Sequence, residues 1–416
     1  MNRREFVKAM AAGGVMMSMP TSFALANGAK PNRYFVQIYV GGGWDVTSIC
    51  DPKGNNVESS SGRGPINKFE TSAIRKSGNL RYAPMASGAI SGTDWMDTVY
   101  KNHRNRILVL NGVNMLSGSH SQGQYYFTNG QNFPAFPTLC ALHAAPYNGK
   151  TAVPYYSSGN IISSTGGEVS KVSISSASAL DKLVESSNTQ PSAIQKMMYT
   201  KRQELLDHLG YDPESPSAAE TWRQFSESEA GTANIAAIKN KMPANPSSGK
   251  LFNPEMVAAL LASGECASAG FACGENFDTH HDNDIGQSSK ANSLFQQINY
   301  LWAELERHGI ADKTTVMIGS EMGRTPWYNG NNGNDHWATS SVIIMADGIG
   351  NRMIGDSGRD LRPGKVNVDT LEPDENGIEI TIQHIHRALR DRLGLQVGTA
   401  LNSKYPMPVE SLSLFG

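Results

Sequence analysis

The run Tyr34-Phe35-Val36-Gln37-Ile38-Tyr39-Val40 is apolar and β-prone and stops at Gly41-Gly42-Gly43, which predicts a buried strand. Ile107-Leu108-Val109-Leu110, ending at Asn111-Gly112, predicts a second, and the runs at 315–318 and 342–345 two more. Helical spacing takes over at Ile194, Met197, Met198, Leu205, Leu206 and Leu209, closed by Gly210 and then Pro213. A shorter helix is expected over 254–262. The clearest amphipathic stripe is Leu294, Phe295, Ile298, Leu301, Trp302 and Leu305, ending near His308-Gly309, and a last helix is expected over 381–393. Between 150 and 190 the chain is rich in Ser, Gly and Asn, which reads as irregular hairpins or a lid; 211–252 reads as one or two short helices among Pro, Ser and Asn. Strand, helix, strand, loop, strand, helix is the order of an α/β fold, a mostly parallel sheet sandwiched by helices with loop-rich insertions. Such sheets carry their chemistry in loops at the carboxyl ends of the strands.

The first residues break this pattern. Arg3-Arg4-Glu5-Phe6-Val7-Lys8 precedes a weakly apolar run from Ala9 to Met19, then Pro20 and the small-residue site Ala24-Leu25-Ala26. A basic start, a short apolar middle and an A-x-A ending form a cleavable signal, and the paired arginines resemble the twin-arginine export signal. The expected organisation is therefore a leader over 1–26 and one large α/β domain over 27–416, with an insertion or lid around 150–250. Asn27 rather than Cys follows the cleavage point, so no lipid anchor is expected there. The twin-arginine translocase is the expected partner during export, to the periplasm or outside the cell.

Charge sharpens what is excluded. The 416 residues hold 36 Lys+Arg and 38 Asp+Glu, and loss of the leader takes away Arg3, Arg4, Lys8 and Glu5, leaving 33 basic and 37 acidic residues. A nearly neutral chain with no basic run interleaved with aromatics is not built for nucleic acid. No apolar stretch approaches the roughly 20 residues that span a bilayer, so no stable membrane anchor is expected. The 41 glycines, with many Ser and Asn, point to long surface loops. Among the four cysteines, Cys266 and Cys273 enclose a short loop and either pair in an oxidising compartment or stay as buried thiols.

Candidate chemistry collects at predicted strand ends. Asp45 follows the first strand directly and is either a turn or cap residue or part of a site. Glu321 follows the strand at 315–318, in Gly319-Ser320-Glu321-Met322-Gly323-Arg324-Thr325-Pro326. Phe277-Asp278-Thr279-His280-His281 lies before the long amphipathic helix, and Asp335-His336-Trp337 leads into the strand at 342–345. Carboxylate oxygen with imidazole nitrogen suits Zn, Mn, Fe or a similar divalent ion. Asp278 and His280 read otherwise as a polar loop with a helix cap, and His281 as facing water. Ser119 and Ser121, around His120, sit where a helix start favours anions and could supply a nucleophile; the plain alternative is a serine N-cap. The G-x-S-x-G elbow is not matched.

These motifs resemble a family of exported bacterial proteins called domain of unknown function 1501, placed in the alkaline phosphatase and sulfatase-like superfamily. Its late motifs look like W-D-T-H-x-x-N, S-E-F-G-R-T-P and D-H-W or D-H-G. Here they read Phe277-Asp278-Thr279-His280 with Asn283, Ser320-Glu321-Met322-Gly323-Arg324-Thr325-Pro326, and Asp335-His336-Trp337; Ser119-His120 matches an earlier serine-histidine motif. The resemblance implies an alkaline phosphatase-like fold and one or two divalent ions held by Asp45, Asp278, His280, Glu321 and His336. Met322 stands where the superfamily places a further His ligand.

The function expected on these grounds is a metal-dependent hydrolase acting on a small anionic phosphate or sulfate ester. Ser119, His120 or Ser121 would do the chemistry and Arg324 would clamp the anion, unless Arg324 makes a structural salt bridge instead. The alternative is a catalytically degenerate binding or assembly protein of the periplasm or cell envelope on the same fold.

Overall fold

The computed structural model describes residues 15–18, 30–188, 235–395 and 398–415. The helix expected at 194–209, the expected leader over 1–26 apart from residues 15–18, and 211–234 lie outside the described residues. Nine strands form the main sheet: β1 (Val15–Ser18), β2 (Tyr34–Val40), β3 (Ile107–Asn114), β4 (Tyr155–Ser158), β5 (Lys171–Ile174), β6 (Ser268–Ala272), β7 (Thr314–Ser320), β8 (Thr339–Met345) and β9 (Arg352–Ile354). Their spatial order is β1-β5-β4-β6-β2-β7-β8-β3-β9. From β5 through β7 every pairing is parallel. β8 runs against both its neighbours, and β1 pairs antiparallel at the edge. A mostly parallel sheet with one reversed inner strand is the result.

Helices cover both faces: α1 (Trp95–Asn102), α2 (His120–Asn129), α3 (Leu139–Ala144), α4 (Ala177–Asn188), α5 (Phe252–Ala262), α6 (Asn283–Arg307), α7 (Ile382–Arg392) and α8 (Ala400–Lys404). β2 shows why its sequence reads as an unbroken apolar run. Val36, Ile38 and Val40 join the cluster with Leu260, Leu301 and Trp302 of α5 and α6. Phe35 and Tyr39 join the opposite cluster with Phe127, Leu142 and Leu389 of α2, α3 and α7. A strand buried on both faces needs no polar alternation. Gln37 is the exception on β2, and its Nε2 is satisfied by the carbonyl of Phe127 at 2.9 Å. Truncating a fully buried leucine such as Leu301 to alanine costs about 2–5 kcal/mol.

Two expectations change, and the cysteines follow one of their two alternatives. The segment around 150–190, read as irregular hairpins, contributes β4 and β5 to the parallel sheet and then α4. β3 runs through Asn111-Gly112 to Asn114 rather than stopping there. Gly112 has φ 62 and a Cβ there would lie 2.0 Å from the Asp356 carbonyl oxygen, so the glycine admits a crossing backbone instead of ending the strand. Cys266 and Cys273 do not pair; all four cysteines are free and buried. The five-residue strand β6 lies between Cys266 and Cys273 and, at about 3.3 Å per residue, separates them well beyond disulfide reach.

The long helix α6 ends at cap His308, as its apolar stripe predicts. α7 opens with a capping box in which Thr381 and His384 exchange hydrogen bonds. Among the described residues no helix is long and apolar enough to cross a membrane.

Candidate metal centre

Parallel pairing in register places Val40 beside Ser320, so the loops after β2 and β7 leave the sheet at one level. The loop after β6 arrives at the same rim. Gly42 makes the meeting possible: with φ +105, a Cβ would lie 2.4–2.6 Å from Asn276 Oδ1 and from the backbone nitrogens of Phe277 and Asp278. α2 comes down on the rim from the far side of the sheet. At Gly123 a Cβ would meet the Glu321 carbonyl oxygen at 2.4 Å, so the helix carrying His120 packs directly on the backbone of Glu321.

These loops bring together His120, His280, His336 and Asp278. One ligand atom each from His120, Asp278 and His336 falls within 4.8 Å of the others, a group that could hold a metal ion. His280 Nε2 lies 3.2 Å from His336 Nε2 and 3.1 Å from Asp278 Oδ1. His336 Nε2 is 3.5 Å from Asp278 Oδ1, and His120 Nε2 is 3.6 Å from Asp278 Oδ2. Side chains of all four remain 31–43% exposed.

The outer nitrogens settle which way the rings face. His120 Nδ1 meets Glu321 Oε1 at 2.8 Å, His280 Nδ1 meets Asp335 Oδ1 at 2.9 Å, and His336 Nδ1 meets the Gly118 carbonyl at 3.1 Å. Burial pushes the Glu321 carboxyl up, but hydrogen bonds from His120, its own backbone, Ser320 and Gly42 outweigh this and hold it below its usual range. Asp335 is likewise lowered, with Asn329 and His280 outweighing burial. All three outer partners can therefore only accept, so each Nδ1 carries the proton. In a neutral ring the lone pair is then on Nε2, facing Asp278; for His120 the hydrogen bond to Glu321, with the charges of Glu321 and Asp278, outweighs burial and favours uptake of a second proton there. At 3.2 Å the Nε2 atoms of His280 and His336 would repel as two lone pairs and are reconciled by a shared proton or by a cation between them. Asp278 itself is held ionised, the Arg324 hydrogen bond and charge outweighing burial.

Other expected site residues are placed differently. Asp45, expected as a ligand, is 2% exposed and already accepts from Thr47 N, Thr47 Oγ1, Ser48 Oγ and Asn283 Nδ2 at 2.7–2.9 Å. It caps the 3-10 turn Val46–Ser48 and is not among the grouped residues. Glu321 is 1% exposed; its Oε1 accepts from Gly42 N at 2.7 Å as well as from His120, and its Oε2 accepts from Ser320 Oγ at 2.8 Å. It stands behind His120 rather than beside Asp278. Arg324, expected as an anion clamp, is wholly buried. Its guanidinium donates to the carbonyls of Gly42, Gly43 and Asn334 and, at 2.5 Å, to Asp278 Oδ1, so no fork is left for a substrate. The structural salt bridge is the reading that fits.

Ser119 occupies the N-cap position of α2 but makes no side-chain cap bond. It is exposed, and its Oγ lies 3.4 Å from that of Ser121. His281 faces solvent. Asp335 and Asn329 escaped sequence reading, although Asp335 stands inside the D-H-W motif. Asn329 Nδ2 donates to both Asp335 Oδ1 and the His280 carbonyl at 3.1 Å, which ties the two loops together. Gly333 lets them touch, since a Cβ there would lie 2.0 Å from the His280 carbonyl carbon.

Residues 256–350 match the model of a family described as protein of unknown function (DUF1501), a span that contains all three late motifs. No curated protein matches the chain. Among solved structures it is similar to Ps i-CgsB, at 6% identity over 93% of this chain and 76% of that one, with a TM-score of 0.41. The PsFucS1 sulfatase from Pseudoalteromonas sp. is similar at 10% identity over 98% and 74%, TM-score 0.38. Alkaline phosphatase from the Antarctic bacterium TAB5 follows at 8% identity over 78% and 94%, TM-score 0.29.

Proposed function

We propose that this chain is an exported, metal-dependent hydrolase of phosphate or sulfate esters. The observation that carries the reading is the convergence of the Nε2 atoms of His120, His280 and His336 on the Asp278 carboxylate, at 3.1–3.6 Å, at the carboxyl-end rim of a mostly parallel sheet. These four side chains would hold a divalent ion. Such an ion, when bound, polarises an ester oxygen and makes water or a hydroxyl a better nucleophile. The chain supplies the rest. Asp278 is fixed by Arg324, and the exposed Ser119 and Ser121 hydroxyls sit beside His120 at the positive end of α2, where a tetrahedral anionic group is favoured. The resemblance of the three late motifs to an alkaline phosphatase and sulfatase-like family supports the same class of substrate. The twin-arginine leader supports export through the twin-arginine translocase to the periplasm or beyond.

The test is turnover of an aryl phosphate and an aryl sulfate by purified protein, stripped by chelator and then resupplied with Zn, Mn or Fe. Hydrolysis that needs the ion and is lost in His280→Ala is expected. A metal-loaded protein that turns over neither ester would overturn the enzyme and favour a binding or assembly role in the cell envelope.

A further inference from the structure

We infer that the rim holds a single ion of the zinc class, with His120 as a ligand and Glu321 as the residue that orients it. The inference rests on the metal-dependent reading above and goes beyond it in limiting the rim to one ion, in the class of that ion and in the role of Glu321.

The first argument is an inventory of donors. Three imidazole Nε2 atoms surround the Asp278 carboxylate, those of His280 and His336 nearest Oδ1 and that of His120 nearest Oδ2. Ligands about 2.1 Å from a tetrahedral ion stand about 3.4 Å apart. Four of the six separations in this group are 3.1, 3.2, 3.5 and 3.6 Å, with Asp278 meeting His280 and His336 through Oδ1 and His120 through Oδ2. A set of three nitrogens and one oxygen suits zinc and its neighbours, whereas magnesium and calcium require six or more oxygens. Zinc can expand to five positions, and the exposed side of the rings leaves the fifth to solvent or substrate.

The second argument concerns the carboxylates a second ion would need. Two-ion sites place metals about 3.5–4 Å apart and rely on further acidic oxygens. Here Asp45 accepts four hydrogen bonds from protein donors, Glu321 accepts three, and Asp335 faces outward to His280 and Asn329. Asp278 is the one carboxylate of these that lies beside the imidazole Nε2 atoms; Glu321 and Asp335 meet the Nδ1 atoms.

The third argument is the completeness of the outer contacts. Metal-binding imidazoles characteristically give their second nitrogen to a carboxylate or carbonyl, which fixes tautomer and orientation. His120 gives its Nδ1 to Glu321, His280 to Asp335 and His336 to Gly118, while Arg324 steadies Asp278. Every one of the four inner groups has its outer partner, and Glu321 fills that position for His120.

Titration of the stripped full-length mature protein with Co²⁺, followed by visible absorption and elemental analysis, tests this. One equivalent is expected, with the intense bands of four- or five-coordinate cobalt, displaced by equimolar Zn²⁺ and not by millimolar Mg²⁺. His120→Gln should weaken binding more than 100-fold, and Glu321→Gln about 10–100-fold with the stoichiometry unchanged. Thermal melts of both variants control for folding; His120→Asn, at an exposed helix start, replaces His120→Gln should that variant unfold. Two equivalents, a weak octahedral spectrum, or a His120 variant that binds like wild type overturns this inference alone. Protein that takes up neither Co²⁺ nor Zn²⁺ overturns the metal-dependent reading with it.

Discussion

Glu321 and His120 stand 201 residues apart in sequence and meet through one 2.8 Å hydrogen bond between Oε1 and Nδ1. The acid ends a strand and the imidazole begins a helix, so the pair couples the sheet rim to α2. Because Glu321 also accepts from Gly42 N and Ser320 Oγ, its loss strands several buried donors at once. Glu321→Leu is expected to lower stability by on the order of 3 kcal/mol, read as a shift of the urea midpoint. A variant as stable as wild type would mean that these donors find other partners.

Arg324 is tested by a change that keeps its charge. Lysine cannot reproduce a planar fork that reaches three backbone carbonyls and Asp278. Arg324→Lys should cost about 3 kcal/mol of stability and loosen metal binding together, since Asp278 loses its anchor. An anion clamp would behave otherwise: unchanged urea midpoint, raised KM.

Asp335 and Asn329 hold His280 from behind. Asp335→Asn should weaken metal binding about 10–100-fold while the thermal midpoint stays near that of wild type, because the Asp335 side chain is half exposed. Competition with a chromophoric chelator reads the affinity. Equal affinities for variant and wild type would remove His280 from the ligand set.

Two buried histidines away from the rim set part of the acid limb of stability. Burial, the main cause, lowers His143 to about 4 and His386 to about 3, with each Nε2 donating to a backbone carbonyl, Arg33 at 3.2 Å and Phe127 at 3.0 Å. An unfolded histidine titrates near 6.5, so between that pH and the folded value the unfolded chain binds more protons. The stability these rings contribute is complete above about pH 6.5 and is lost as pH falls toward 4 for His143 and toward 3 for His386. Urea midpoints at pH 7 and 4.5 should therefore fall less steeply for His386→Gln than for wild type. Parallel pH dependence would place the acid sensitivity elsewhere.

Much of the fold was legible because parallel strands buried on both faces leave apolar runs that end at glycine. Tyr34–Val40 and Thr314–Ser320 are such runs, and α6 shows its stripe of Leu294, Ile298, Leu301 and Leu305. β4 and β5 were not legible. They are four residues each, built from Tyr, Ser, Lys, Val and Ile near one edge of the sheet, and carry too short an apolar signal to separate from loop. For the site, position proved easier to read than role. Asp278, His280 and His336 fall together, and Glu321 does stand at a strand end. Whether a carboxylate binds an ion or aims an imidazole depends on which donors surround it, and for Glu321 those come from residues 42 and 120, far away in sequence. His120 read as one member of a serine-rich catalytic window because nothing local shows that its Nδ1 is taken by Glu321. Asp335 was passed over for its neighbour His336, since only folding brings it to His280.

The most direct measurement is a crystal structure of the zinc-soaked protein with data collected on both sides of the zinc absorption edge. One anomalous peak is expected about 2.0–2.2 Å from the Nε2 atoms of His120, His280 and His336 and from an Asp278 oxygen, with Glu321 still hydrogen-bonded to His120. A peak ligated by Glu321 or Asp45, or no peak at the rim at full zinc occupancy elsewhere, would contradict the account.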